Sequence, residues 1–174
     1  MKRLNDVHNY ENGYIGLVVP IPIGLPRIIR LEGYELVLKS EFHISLINAG
    51  KIAQLIDKNQ QSKTESQIVE KFKDFVNKNH LKDYVFDNRF RLVQRDIRKS
   101  VIGMTRVPHL DEFFDGLRQH YGKDIPNQPT HITMYTLQPE KGIGILSKEE
   151  LERDSKSVEI PELENFQFKT KKST

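Results

Sequence analysis

The sequence predicts an α+β protein of two lobes, each an antiparallel sheet backed by helices, the two sheets facing each other across a central active-site cleft. Three observations predict it. Short runs rich in β-branched and aromatic residues are separated by turn residues. Two segments carry apolar residues at helical spacing instead. The order of strands and helices reads as one plan used twice, with a short motif repeated on two of the strands. With 174 residues and 37% apolar content there is material for one compact unit. Residues 1–174 are therefore expected to form a single domain, with lobe 1 about 14–95, lobe 2 about 96–168 and a disordered tail at 169–174.

The first strong strand is Tyr14 to Val19, halted by Pro20, Pro22, Gly24 and Pro26, which read as a loop. After Gly33, residues 34–39 and 41–47 read as two short strands or one interrupted strand, and Asn48-Ala49-Gly50 opens a short helix to about Lys58. Thr64-Glu65-Ser66-Gln67 has the form of a capping box, and Ile68, Phe72, Phe75 and Val76 follow at helical spacing, so residues 65–79 are expected to be an amphipathic helix. Strands are expected at 84–86, 89–95 and 100–106. A helix from Pro108 has Leu110, Phe113, Phe114, Leu117 and Tyr121 on one face and stops at Gly122. A strand from Thr130 to Leu137, a glycine loop at Gly142 and Gly144, a short helix from Ser147 to about Asp154 and an edge strand near Val158 complete the chain.

Lysine plus arginine exceed aspartate plus glutamate by only +3, although the isoelectric point is near 9.0. That balance suits a small anionic ligand better than a long nucleic acid wrapped by a polycation. Cysteine is absent, which removes disulfides, thiolate nucleophiles and thiolate zinc sites. No segment approaches the roughly 18 apolar residues of a membrane span, and the start has no apolar run of signal-peptide type. A soluble, cytoplasmic protein that makes no membrane contact is expected, with a monomer favoured.

Phe42-His43-Ile44-Ser45-Leu46 and Thr130-His131-Ile132-Thr133-Met134 share the form histidine, apolar, hydroxyl, apolar. On a strand, alternation sends His43 and Ser45 to one face and Ile44 and Leu46 to the other; the same parity separates His131 and Thr133 from Ile132 and Met134. Ordinary strands also carry isolated histidines on exposed faces, and a single such motif would mean little. Two of them offer a pair of imidazoles and a pair of hydroxyls to one space. A neutral imidazole can deprotonate a water while an imidazolium protonates a leaving ribose oxygen, and hydroxyls can hold the non-bridging phosphate oxygens. Neither motif has a nearby acidic ligand, which leaves too few groups for a catalytic zinc; no metal and no cofactor are expected.

At these motifs, over about residues 14–137, the chain resembles the two-histidine (2H) phosphoesterase superfamily, which includes LigT-like RNA 2′,3′-cyclic phosphodiesterases. The resemblance implies a bilobal α+β fold, catalysis by His43 and His131, and phosphate binding by Ser45 and Thr133. It implies an enzyme that hydrolyses 2′,3′-cyclic phosphates on RNA ends or small nucleotides without a metal. Two alternatives stand beside it: a hydrolase of cyclic or 2′-5′ linked signalling oligonucleotides, and a nucleotide- or RNA-binding module without turnover. Two features depart from the family. The segment before His43 is short and proline-rich where the family has its first helix, and the extension after Leu137 departs from the pattern that carries the resemblance.

Tyr135 shares the nominal parity of His131 and Thr133 and is a candidate for substrate binding; Lys39 shares that of His43 if its strand is unbroken. Arg89, Arg91, Arg95, Arg98, Lys99 and Arg106 flank two strands, where a solvated edge is the favoured reading over a basic approach to the cleft. His8, His80, His109 and His120 fall in a polar leader or at helix ends and are given surface or capping roles. Gly142-Ile143-Gly144 lacks the pattern of a phosphate-cradling loop and reads as a turn or a rim over the site.

Overall fold

The computed structural model describes residues 2–5, 7–79, 81–137, 142–164, 166 and 168. Its strands are β1 (Lys2–Arg3), β2 (His8–Glu11), β3 (Tyr14–Val19), β4 (Ile28–Leu31), β5 (Tyr34–Leu38), β6 (Phe42–Asn48), β7 (Val85–Arg95), β8 (Arg98–Arg106), β9 (His131–Thr136) and β10 (Ser155–Val158). Its helices are α1 (Ala49–Ile56), α2 (Gln61–Asn79), α3 (Leu110–Tyr121) and α4 (Lys148–Asp154). The protein is α+β, built on a large antiparallel sheet that does not close into a barrel.

All ten described strands join one hydrogen-bonded network in the order β1-β2-β3-β6-β9-β8-β7-β10, with the β4–β5 hairpin attached to β9. The expectation of two sheets facing each other therefore meets a different pairing. The motif strands β6 and β9 are hydrogen-bonded neighbours, with Ile44 opposite Ile132 and Ser45 opposite His131. The proline-rich segment between β3 and β6 is occupied by the β4–β5 hairpin, whose turn Glu32-Gly33 has positive φ at both residues.

Alternation gives this sheet two different faces. Ile15, Leu17, Phe42, Ile44, Leu46, Ile132, Leu92 and Val101 join one apolar core with Ile52 of α1, Ile68 and Phe72 of α2, and Phe113, Phe114 and Leu117 of α3. A smaller cluster of Val93, Ile102 and Met104 packs with Ile143, Ile145 and Leu151. Its strand residues have the opposite parity, so the segment running into α4 lies over the other face, on the β7–β8 side. Two arginines of β7 strap it down. Arg95 donates to Asp154 at 3.0 and 2.5 Å and to the carbonyl of Gly144 at 3.3 Å, while Arg91 donates to Glu152 and Ser155.

Helix α2 begins three residues before the expected capping box. The Asp57 side chain accepts from the Asn59 amide and starts a 3₁₀ turn at Lys58–Gln60 that runs directly into the helix, leaving Thr64 buried inside it. The expected disordered tail, residues 169–174, lies outside the described residues, as does His80.

Candidate functional site

The pairing registers reveal a local two-fold relation. β6 carries a one-residue irregularity at Leu46, between the pairs Ile15–Ile47 and Gly16–Ser45. β9 carries the same irregularity at Met134, between Val101–Tyr135 and Ile102–Thr133. Each extra residue is the apolar one that follows the motif hydroxyl. Around an axis through the Ile44–Ile132 pair, His43 matches His131, Ser45 matches Thr133, and β3 matches β8 residue for residue, Gly16 with Ile102 and Val18 with Met104.

His43, Ser45, His131 and Thr133 all line a cavity of about 390 Å³ on the face away from the main core. In the antiparallel register Ser45 stands opposite His131, and the two histidines are diagonal neighbours, a relation that typically separates Cα atoms by roughly 7–8 Å. Lys39, anchored by its amide to the Met134 carbonyl at 2.8 Å, also lines the cavity. So do Asn9, Glu11 and Asn12 of the β2–β3 hairpin, Tyr14, Gly16, Glu41, Arg98 and the rim Gly142-Ile143-Gly144.

The two imidazoles differ in setting. His131 is 1% exposed, and its Nδ1 lies 3.1 Å from the Pro129 carbonyl oxygen. A carbonyl only accepts, so Nδ1 carries the proton and Nε2 keeps its lone pair. Burial pushes the pKa of His131 down to about 4, against the opposing pull of the Pro129 hydrogen bond, and the neighbouring His43 adds a smaller push downward. His43 is partly exposed; burial, then Lys39, lower its pKa, while Glu41 and Glu11 act in the raising direction.

Tyr135 is not brought to this cavity. The extra residue at Met134 inverts strand parity, so Tyr135 is fully buried in the main core and its hydroxyl donates to the Pro26 carbonyl at 2.9 Å. The nominal alternation that made it a substrate-binding candidate ends one residue before it.

Glycines let the backbone form part of the wall. A Cβ on Gly16 would stand 2.7 Å from Asn9 Oδ1 and 3.3 Å from His43 Cδ2, and one on Gly144 would overlap the Tyr14 hydroxyl. Of the basic residues flanking β7 and β8, Arg89 and Arg106 are both held by Asp87, Arg91 by Glu152 and Arg95 by Asp154, and Lys99 lies 4.5 Å over the Tyr34 ring. Arg98 alone of that group lines the site. His8, expected in a polar leader, is a buried residue of β2 edge-on to Phe72, and burial lowers its pKa to about 4.

Among the described residues no cluster of three or more histidine, aspartate or glutamate side chains is placed to hold a metal ion, and no helix is long and apolar enough to cross a membrane. Comparison of the chain with protein-family models, with curated proteins and with solved structures returns no match.

Proposed function

We propose that this protein is a two-histidine phosphodiesterase that hydrolyses 2′,3′-cyclic phosphates on RNA ends or nucleotides without a metal. The observation that carries the reading is the convergence of His43, Ser45, His131 and Thr133 on one cavity through two strands related by a local two-fold axis. The register match between β2–β3–β6 and β7–β8–β9 supports two lobes that meet along the β6–β9 pairing, with the boundary between α2 and β7 instead of the expected one near residue 95, and the cavity as the cleft.

In this reading His131 Nε2 takes a proton from the attacking water as the new oxygen–phosphorus bond forms. The bond from phosphorus to one ribose oxygen breaks, and His43, as imidazolium, delivers its proton to that oxygen. Two observations favour these roles: the Pro129 hydrogen bond directs the His131 lone pair away from Nδ1, and His43 is the more exposed of the two rings, where Glu41 and Glu11 partly offset the lowering by burial and Lys39. An anionic phosphate between the rings raises both pKa values toward neutrality and assists the imidazolium. Ser45 and Thr133 hydroxyls donate to the non-bridging oxygens, with Lys39 and Arg98 supplying positive charge nearby. Solvent exchange resets the two protons after the phosphomonoester leaves.

The test is turnover of a panel of nucleoside 2′,3′-cyclic phosphates, a 2′-5′ linked oligoadenylate and cyclic dinucleotides, with chelator present, by wild type, His43→Ala and His131→Ala. Chelator-resistant hydrolysis of the cyclic phosphates that collapses in both variants is expected. A preference for the 2′-5′ linked or cyclic oligonucleotides would replace the substrate class, and nucleotide binding without turnover would replace the enzyme by a binding module. Activity unchanged in either variant would remove the site assignment.

A further inference from the structure

Tyr14 and Gly144 form a wall with a cavity on each side. One side is the histidine site; the other is a second cavity of about 460 Å³, also lined by Asn48, Lys51, Lys58 and Arg95. Tyr14 is only partly buried, and its ring stands between the two spaces.

The charges in the second cavity are of two kinds. Arg95 is committed to Asp154 and Glu150. Lys51 and Lys58 are exposed and, among the described residues, meet no carboxylate at ion-pair distance; the Lys51 ammonium reaches only the Gln54 side-chain oxygen, at 3.5 Å. A larger cavity of about 640 Å³ lies near Arg89, Arg91 and Arg106, but its three guanidiniums are already paired with Asp87 and Glu152. Two uncommitted ammonium groups therefore stand together beside the histidine site, against one, Lys148, at the larger opening.

We infer that Lys51 and Lys58 form a subsite for the phosphate of the neighbouring nucleotide of an RNA chain whose terminal phosphate lies between His43 and His131. This rests on the function proposed above and sharpens it: the substrate class is an oligoribonucleotide end, and a free mononucleotide uses only half of the available contacts. The Tyr14 ring, at the shared wall, is where a base between the two phosphates would stack. Ammonium groups suit a backbone phosphate, which they neutralise without reading sequence.

The experiment compares a nucleoside 2′,3′-cyclic phosphate with a short oligoribonucleotide ending in the same group. The proteins are wild type, the double variant Lys51→Ala/Lys58→Ala, and Lys63→Ala as an exposed control on α2. The double variant is expected to raise KM for the oligonucleotide about tenfold, leave the mononucleotide unchanged, and reduce the salt dependence of KM by roughly 0.7 log units per log unit of salt for each lost contact. Equal effects on both substrates, or none on the oligonucleotide, would overturn the subsite. Fluorescence anisotropy with a labelled oligonucleotide ending in a 3′-phosphate separates this inference from the function beneath it. Binding weakened by the double variant in a protein without turnover would retain the subsite and remove the phosphodiesterase; turnover of the mononucleotide with oligonucleotide binding unaltered would do the reverse.

Discussion

Strands β6 and β9 carry the same motif, the same extra residue and matching neighbours, yet their histidines live in different surroundings. His131 is enclosed, bonded to a backbone carbonyl and adjoined by Met104 of the small apolar cluster; His43 is partly open, with Val18 beside it and Glu41 and Glu11 near enough to act on its charge. The symmetry breaks at the neighbouring strand. Gly16 faces Ser45 where Ile102 faces Thr133. Ile102 supplies apolar surface on which Ile143 and Leu151 pack, so the β8 side is covered by the C-terminal strap, while the glycine leaves the β3 side to polar residues of the β2–β3 hairpin. A repeated motif thus yields two imidazoles of one chemical kind and unequal environment, the asymmetry on which the proposed base and acid roles rest.

The largest effects come from removing one half of this comparison. His43→Ala or His131→Ala is expected to lower kcat on a nucleoside 2′,3′-cyclic phosphate by about 10²–10⁴, measured at saturating substrate. Ser45→Ala and Thr133→Val should each cost roughly 10²–10³ in kcat, since in the proposed mechanism each hydroxyl donates to the developing charge; a loss confined to KM would mean that the hydroxyls bind substrate and transition state alike.

The unequal burial of the histidines predicts an acid limit to stability. His131 and His8 have folded-state pKa values near 4 against an ordinary 6.5, so the unfolded chain takes up protons first as pH falls. Their contribution is intact above pH 6.5 and is lost as pH drops through 4, by about 3 kcal/mol for each residue. Urea unfolding at pH 7 and pH 4 checks this. His8→Phe, which keeps an aromatic ring against Phe72, should lose the His8 share of the pH sensitivity, with His131 and His43 supplying the rest, and an unchanged slope would show that His8 protonates freely in the folded protein.

The smallest effect separates Tyr135 from the site. Tyr135→Phe loses its bond to Pro26 and should cost about 0.5–1.5 kcal/mol by thermal unfolding, with kcat and KM unaltered.

What was legible in the sequence was whatever depends on alternation and period within one element. The faces of β6, the apolar stripe of α3 and the shared parity of histidine and hydroxyl in each motif follow from such local patterns, whereas their meeting on one cavity depends on the β6–β9 pairing, which differs from the facing sheets expected. Tyr135 was misplaced because the extra residue at Met134 is defined by pairing with β8, which no single-strand pattern contains. Asn9, Glu11 and Tyr14 were missed as site residues although a signal was present: Asn12-Gly13, with φ of 50° and 83°, is a two-residue hairpin turn that places β2 beside β3. Arg98 could not be told from its basic neighbours, because what distinguishes it is spatial: Asp87 holds Arg89 and Arg106, Glu152 holds Arg91 and Asp154 holds Arg95, while Arg98, 3.9 Å from Asp96, lines the cavity.

The central claim is that His43 and His131 work as a pair on one phosphorus, and the kcat of the double variant His43→Ala/His131→Ala, set beside the two single variants, tests it most directly. If the pair acts as a unit, the double variant is no slower than the slower single variant, because either loss already abolishes the concerted proton transfers. If the two losses multiply, the histidines contribute independently and the two-histidine account is contradicted.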